Sequence, residues 1–211
     1  MKKKLIVELI GTFFLVFTVG CAAVLGLAGA RGAMAPLAIG SVLMAMVFAG
    51  GHISGAMYNP AVSLAVMLRG KLPAKEFVAY IIVQLVGAIL AALFVTKVIG
   101  AGAEIRLAEI DLRPALTAEF FFTFALCYVV LNVATAKGTE GNSFYGLAIG
   151  FTVMAGAFAV GSVSLGVFNP AVGAGLLMMG KLKFGTLLFY MVVQFVAAGA
   201  AAIVFQQVNS E

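Results

Sequence analysis

Charge is nearly absent from this sequence. Asp, Glu, Lys and Arg make up 10% of its 211 residues, 64% are hydrophobic, and the mean hydropathy is +1.16. A water-soluble domain of this length needs far more charge to cover its surface, so a soluble globular fold is excluded and a polytopic membrane protein is implied. The net charge of +5 then speaks for Lys and Arg at the membrane ends of helices, not for nucleic acid. Histidine occurs once, as His52, without an acidic cluster beside it, so a metal centre lacks its second ligand. The two cysteines, Cys21 and Cys127, fall inside apolar runs and read as packed, inert thiols. No phosphate-cradling glycine loop is present, and Ser54 and Ser164 have no base at usable spacing. Nothing supports an enzyme, and no cofactor is called for.

What the sequence has in abundance is apolar length. Six runs reach spanning length: Leu5–Leu27, Met34–Gly50, Phe77–Ile99, Ala115–Thr135, Phe144–Gly161 and Phe184–Phe205. The start, Met1-Lys2-Lys3-Lys4, resembles a signal-peptide n-region, but the run behind it is long enough to span and shows no clear cleavage site, so it reads as a retained first helix. Two shorter segments lie between the second and third runs and between the fifth and sixth, each behind an Asn-Pro-Ala triplet: Asn59-Pro60-Ala61 and Asn169-Pro170-Ala171. Pro60 to Gly70 is 11 residues. That is about 16 Å of helix, half of a hydrocarbon core of roughly 30 Å. These segments are expected to dip into the membrane and return.

The two halves repeat each other. Leu37-Ala38-Ile39-Gly40 returns as Leu147-Ala148-Ile149-Gly150, and Gly70-Lys71-Leu72 as Gly180-Lys181-Leu182. Tyr80 and Gln84 return as Tyr190 and Gln194, all 110 positions on, as are the two triplets. Glu8 and Glu119 match at an offset of 111. The organisation read from this is a single membrane channel domain over 1–211, with a first repeat at about 1–100, a connecting loop at 101–114 and a second repeat at about 115–211. Three spans per repeat is an odd number, so the second repeat must be inverted, and inverted repeats with broken helices place the functional site near the midplane. The fold class expected is all-α, with six transmembrane helices and two re-entrant half-helices. With the N-terminus cytoplasmic, the inside face carries seven basic residues and the outside face, Arg31 included, carries six. The tri-lysine start therefore decides the orientation, with both termini cytoplasmic.

Asn is a preferred helix N-cap and Pro fits the first helical position, so each triplet begins a helix. If the half-helices enter from opposite sides, two N-termini meet at the centre, each carrying roughly half a positive charge from its macrodipole. The carbonyl oxygens of Asn59 and Asn169 cap their own helices and leave the amide NH2 groups as lumen-facing donors. Two donors on one water occupy both its lone pairs, so it cannot relay a proton, and the dipole ends repel cations. The segments upstream, Gly50 to Gly55 and Gly161 to Gly166, are expected to be unwound, presenting carbonyls to a pore with apolar opposite walls. Such a pore conducts small neutral molecules.

Glu8 with Gly11-Thr12, His52-Ile53-Ser54-Gly55, Asn59-Pro60-Ala61-Val62, Glu119 and Asn169-Pro170-Ala171 together resemble the aquaporin and glycerol-facilitator family, the major intrinsic proteins, over essentially the whole chain. The resemblance implies a right-handed bundle assembling as a homotetramer with one pore per subunit in the lipid bilayer. It also implies a filter of four positions, here Ile39, Ala157, Gly166 and Val172. The chain departs from the family there: Val172 stands where most members have Arg, and Gly173 where glycerol facilitators have Asp. The filter implied is wide and apolar, admitting water and larger neutral solutes such as glycerol, urea or undissociated metalloid acids. Arg106 or Arg113 from an outer loop could stand in for the missing Arg.

Glu8 and Glu119 raise the thought of a proton relay. Their simpler role is to accept hydrogen bonds from re-entrant backbone that lacks other partners. His52 is likewise expected to brace a loop rather than sense pH. The rival functions are a secondary active transporter, which inverted repeats also build, and a non-conducting junction protein. A short, unadorned chain of this kind fits a prokaryotic inner membrane.

Overall fold

The computed structural model describes residues 1–209, with Arg31 described by its backbone only. Ser210 and Glu211 at the end of the second repeat, and the Arg31 side chain counted among the outside charges, lie outside the described residues. Among the described residues there are eight α-helices: α1 Lys2–Val19, α2 Ala35–Ser54, α3 Pro60–Leu68, α4 Ala74–Phe94, α5 Leu112–Thr135, α6 Tyr145–Ser164, α7 Pro170–Met178 and α8 Phe184–Val208. α1 and α4 each run on into a π-helical turn, Gly20–Val24 and Val95–Ile99. Six of the eight are long and apolar enough to cross a bilayer. The other two, α3 and α7, have nine residues each. At 1.5 Å per residue each is about 14 Å long, so both stop halfway.

The unwound stretches are shorter than the glycines in the sequence suggest. α2 continues through Gly50, Gly51 and His52 to Ser54, and α6 continues through Gly161 to Ser164. Lipid offers no partner for a freed N–H or C=O, so the helix holds its own hydrogen bonds as long as the geometry allows. It ends only where the chain turns left-handed, at Gly55 (φ 89°) and Leu165 (φ 68°).

Lipid is as apolar as leucine, so close backbone approach holds such a bundle together. α2 crosses α6 at Gly40 and Gly150: a Cβ on Gly40 would stand 2.7 Å from the Gly150 carbonyl oxygen, and one on Gly150 2.5 Å from that of Gly40. α1 crosses α4 at Gly87, where a Cβ would meet the Leu9 carbonyl oxygen at 2.6 Å. Ala88, Ala197 and Ala198 are likewise fully buried at crossings, whereas Gly199 faces open space. The bundle carries its large apolar side chains outward: Phe121, Phe151, Phe158 and Phe184 are each more than half exposed. Its polar residues, Glu8, Asn59, Gln84, Glu119, Asn169 and Gln194 among them, are buried. That inversion of the soluble pattern suits a hydrocarbon surround.

Gly150→Leu is therefore expected to abolish the folded, monodisperse protein in detergent, because backbone, not a yielding side chain, occupies the space. Size-exclusion chromatography with a thermal unfolding scan checks this, with Gly199→Leu, on open space, as the tolerated control.

Candidate functional site

The site is built where α3 and α7 begin. Asn59 is extended (φ −156°, ψ 118°), and its Oδ1 accepts from the Ala61 N–H at 2.9 Å. Asn169 repeats the geometry (φ −157°, ψ 115°), its Oδ1 accepting from Ala171 at 2.8 Å and Val172 at 3.4 Å. Pro60 and Pro170 follow at the first helical position, where a missing N–H costs nothing. The amides then reach across. Asn59 Nδ2 donates to the Phe168 carbonyl at 2.9 Å, and Asn169 Nδ2 donates to the Tyr58 carbonyl at 2.9 Å. The two helix starts are thus tied to each other, and one N–H of each amide is used in the tie. The expectation of a wholly free NH2 is corrected here: one donor per asparagine remains for the cavity that both side chains line.

For those carbonyls to point at the opposite asparagine, Tyr58 and Phe168 adopt φ of 50° and 48°. Ala56 and Leu165 are also left-handed, at 50° and 68°. Such residues cost of order 1–2 kcal/mol each and persist only where the surroundings hold them. Two carboxylates do the holding. Glu8 Oε1 accepts from Ser54 Oγ at 2.7 Å and Met57 N–H at 3.0 Å, and its Oε2 from Tyr58 N–H at 2.7 Å and Gln84 Nε2 at 2.9 Å. Glu119 Oε1 accepts from Ser164 Oγ at 2.7 Å and Val167 N–H at 2.9 Å, and its Oε2 from Phe168 N–H at 2.7 Å and Gln194 Nε2 at 2.8 Å. Both glutamates are 0% exposed. Tyr80 and Tyr190 add a hydroxyl bond each to the last carbonyls of α2 and α6, Ser54 and Ser164, at 2.8 and 3.0 Å. The Tyr58 ring lies against Gly11, where any Cβ would overlap it, and its hydroxyl donates to the Met46 carbonyl at 2.9 Å. Phe168 has no hydroxyl and packs on Phe122 instead, ring centroids 5.3 Å apart.

The paired asparagines face a central chamber of about 30 Å³. A water needs roughly 10–15 Å³, so the chamber has room for two or three at most. Its remaining lining is largely aliphatic, from Leu15 and Val19 on α1, Leu43 on α2, Leu126 and Val130 on α5 and Val153 on α6. No single one of these residues stands out in the sequence; the signal available was their pairing across the repeat, as Leu15 with Leu126 and Val19 with Val130. A larger vestibule of about 780 Å³ opens on the face carrying Lys4, His52, Lys71 and Tyr145.

Of the four expected filter positions, Gly166 and Val172 line the central chamber. Ala157 lies against Gly166, its Cα 3.3 Å from where a Gly166 Cβ would be. Ile39 is buried on α2 and, among the described residues, is not part of the chamber lining. His52 departs from expectation. It sits in the last turn of α2, exposed to the vestibule, and among the described residues its ring makes no hydrogen bond. The bracing expected of it falls to Ser54, which about half a turn of helix carries inward to Glu8. Arg106 does not reach the chamber either; it pairs with Glu104 at 3.4 Å, both largely exposed, and Arg113 is exposed at the start of α5. Among the described residues no group of three His, Cys, Asp or Glu side chains could hold a metal ion.

Comparison with known proteins places this geometry. The family model described as Major intrinsic protein matches residues 1–164. Aquaporin NIP1-2 of Arabidopsis thaliana is 34% identical over 98% of this chain and 74% of its own length. Aquaporin NIP1-1 of Zea mays is 35% identical over 82% of this chain, which spans 63% of that protein. Among solved structures, the aquaglyceroporin from Plasmodium falciparum superimposes with a TM-score of 0.77 at 24% identity, covering 97% of this chain and 93% of that one.

Replacing Glu119 by Ala would leave two backbone N–H groups, a hydroxyl and an amide buried without an acceptor, each costing about 1–3 kcal/mol. Glu119→Ala is expected to yield little folded protein, and Glu8→Ala likewise, whereas His52→Ala should unfold within a degree or two of the parent. Thermal unfolding of the three purified variants checks the contrast.

Proposed function

We propose, from the premise that this chain belongs to the major intrinsic protein family, that it is a passive transmembrane channel for water and small neutral solutes. The observation that carries this reading is the pair of tied helix starts. Asn59 and Asn169 each offer one N–H to a chamber of otherwise largely aliphatic lining, where α3 and α7 bring their positive dipole ends together. A neutral solute meets two fixed donors and sheds its water against the aliphatic side. A cation meets two positive helix ends and, among the described residues, no carboxylate in the lining, so it is repelled. A water held by both donors has its lone pairs occupied and cannot pass a proton along the file.

Selectivity follows from the residues past the asparagines. Val172 and Gly166, with Ala157 behind and Ile39 on α2, supply no charge and little bulk where the family resemblance expects Arg. The solutes we assign are therefore glycerol, urea and undissociated metalloid acids in addition to water. The channel is one domain of two inverted repeats, about 1–100 and 115–211, joined by the loop at 101–114. It resides in a plasma membrane with both termini cytoplasmic, the tri-lysine start supporting that orientation. Kinship supports a homotetramer with one pore per subunit.

Stopped-flow light scattering on proteoliposomes tests the reading. Wild type should pass water, glycerol and urea with linear, uncoupler-insensitive flux. Val172→Arg should cut glycerol and urea flux at least about tenfold, equivalent to ~1.4 kcal/mol of added barrier, while water flux persists. Water flux without any polyol or urea flux in the wild type would sink the wide-filter assignment.

A further inference from the structure

The repeat allows the two sides of the pore to be compared position by position. The filter set Ile39, Ala157, Gly166 and Val172 has its counterparts, 110 positions away, at Ile149, Val47, Ala56 and Val62. Two of the four are identical across the repeat and two are larger on the N-terminal side: Val47 against Ala157, and Ala56 against Gly166. Met57 against Val167 goes the same way. All four counterparts line the chamber or the vestibule, whereas only Gly166 and Val172 of the first set do.

Three residues line both the central chamber and the vestibule: Met57 from the loop before Asn59, Val130 from α5 and Ile149 from α6. They form the passage between the two, and they are only 8%, 6% and 6% exposed. Side chains that border both cavities line the opening between them, and the chamber beyond it holds only about 30 Å³ against about 780 Å³ in the vestibule. None of the three can donate or accept through its side chain except weakly through the Met57 sulfur. A solute crossing the neck must leave its hydration behind with little to replace it, which is how apolar constrictions select.

We infer that size selection in this channel is made at an apolar neck of Met57, Val130 and Ile149, flanked by Val47, on the N-terminal side of the paired asparagines. The inference rests on the channel reading above. It assigns as permeant those neutral solutes that are slim and carry a hydrocarbon face, glycerol among them, and excludes longer polyols that the wide outer positions would admit. The neck makes the pore asymmetric in width although its centre is nearly two-fold.

Three of the four substitutions exchange residues between the repeats, so that each of those side chains is one the fold already accommodates at the matching position, and the fourth, Ile149→Phe, adds bulk at the neck. Proteoliposomes carrying wild type, the double variant Val47→Ala/Met57→Val, the converse Ala157→Val, and Ile149→Phe are assayed for water, glycerol and ribitol flux. The double variant should raise the ribitol-to-glycerol ratio at least about tenfold, the discrimination that one or two methylenes give in an apolar site. Ala157→Val should leave the ratio near wild type, and Ile149→Phe should suppress glycerol. Should Ile149→Phe fail to elute as folded protein, the double variant decides alone. An unchanged ratio in the double variant, with wild type conducting, overturns the neck and leaves the channel standing. A wild type that passes neither water nor glycerol overturns the channel reading and the neck with it.

Discussion

Everything at the centre of this molecule depends on two buried carboxylates accepting hydrogen bonds that nothing else could accept. The loops before Asn59 and Asn169 run left-handed through non-glycine residues at membrane depth, where a backbone N–H has no water to turn to. Glu8 and Glu119 each gather two of those N–H groups, a serine hydroxyl and a glutamine amide, filling both oxygens. With the donors collected, the chain can afford the strain that aims Tyr58 and Phe168 carbonyls at the opposing asparagines. Each glutamate sits on the first spanning helix of its repeat and is reached by a glutamine on the third spanning helix. The loop is thereby pinned to the scaffold from two directions.

From that anchoring follows a division of labour between one polar and one aliphatic side of the chamber. The asparagines are immobilised at both ends of the amide, by capping through Oδ1 and by the cross-tie through Nδ2, so the remaining N–H points in a fixed direction. Preorganised donors spare the solute the work of orienting them, and the aliphatic residues opposite deny it a second set of partners. The outcome is a site that favours neutral molecules over ions through helix ends and geometry, with no charged side chain lining the chamber among the described residues.

Much of this was legible before any coordinates. The six spans follow from apolar length, the half-helices from Asn-Pro capping plus a length too short to cross, and the pairing of the triplets from their equal place in two repeats. Glu8 and Glu119 were readable as acceptors because a membrane carboxylate beside an irregular segment has few other uses. Among the readings that needed correction, three have clear physical reasons. Glycines at Gly50, Gly51 and Gly161 look like helix breakers but remain helical, since lipid penalises unwinding more than glycine does. His52 looks like a brace because it is polar in an apolar run, yet helical continuation turns it to the vestibule and turns Ser54 inward. The amide groups looked free because the sequence cannot show that two loops approach within hydrogen-bond distance.

The sequence by itself determined the membrane habit, the number of spans, the two capped half-helices and the internal repeat, because each follows from local chemistry and periodicity. Only the tertiary structure decided which atoms meet: the cross-tie between loops 109 positions apart in the chain, the withdrawal of Ile39 from the chamber, and the placing of Met57, Val130 and Ile149 on both cavities. Those contacts join residues from separate helices whose relative rotation is set by backbone crossings such as Gly40 on Gly150. An aliphatic residue carries no mark of the face it will present until its helix has been packed against another.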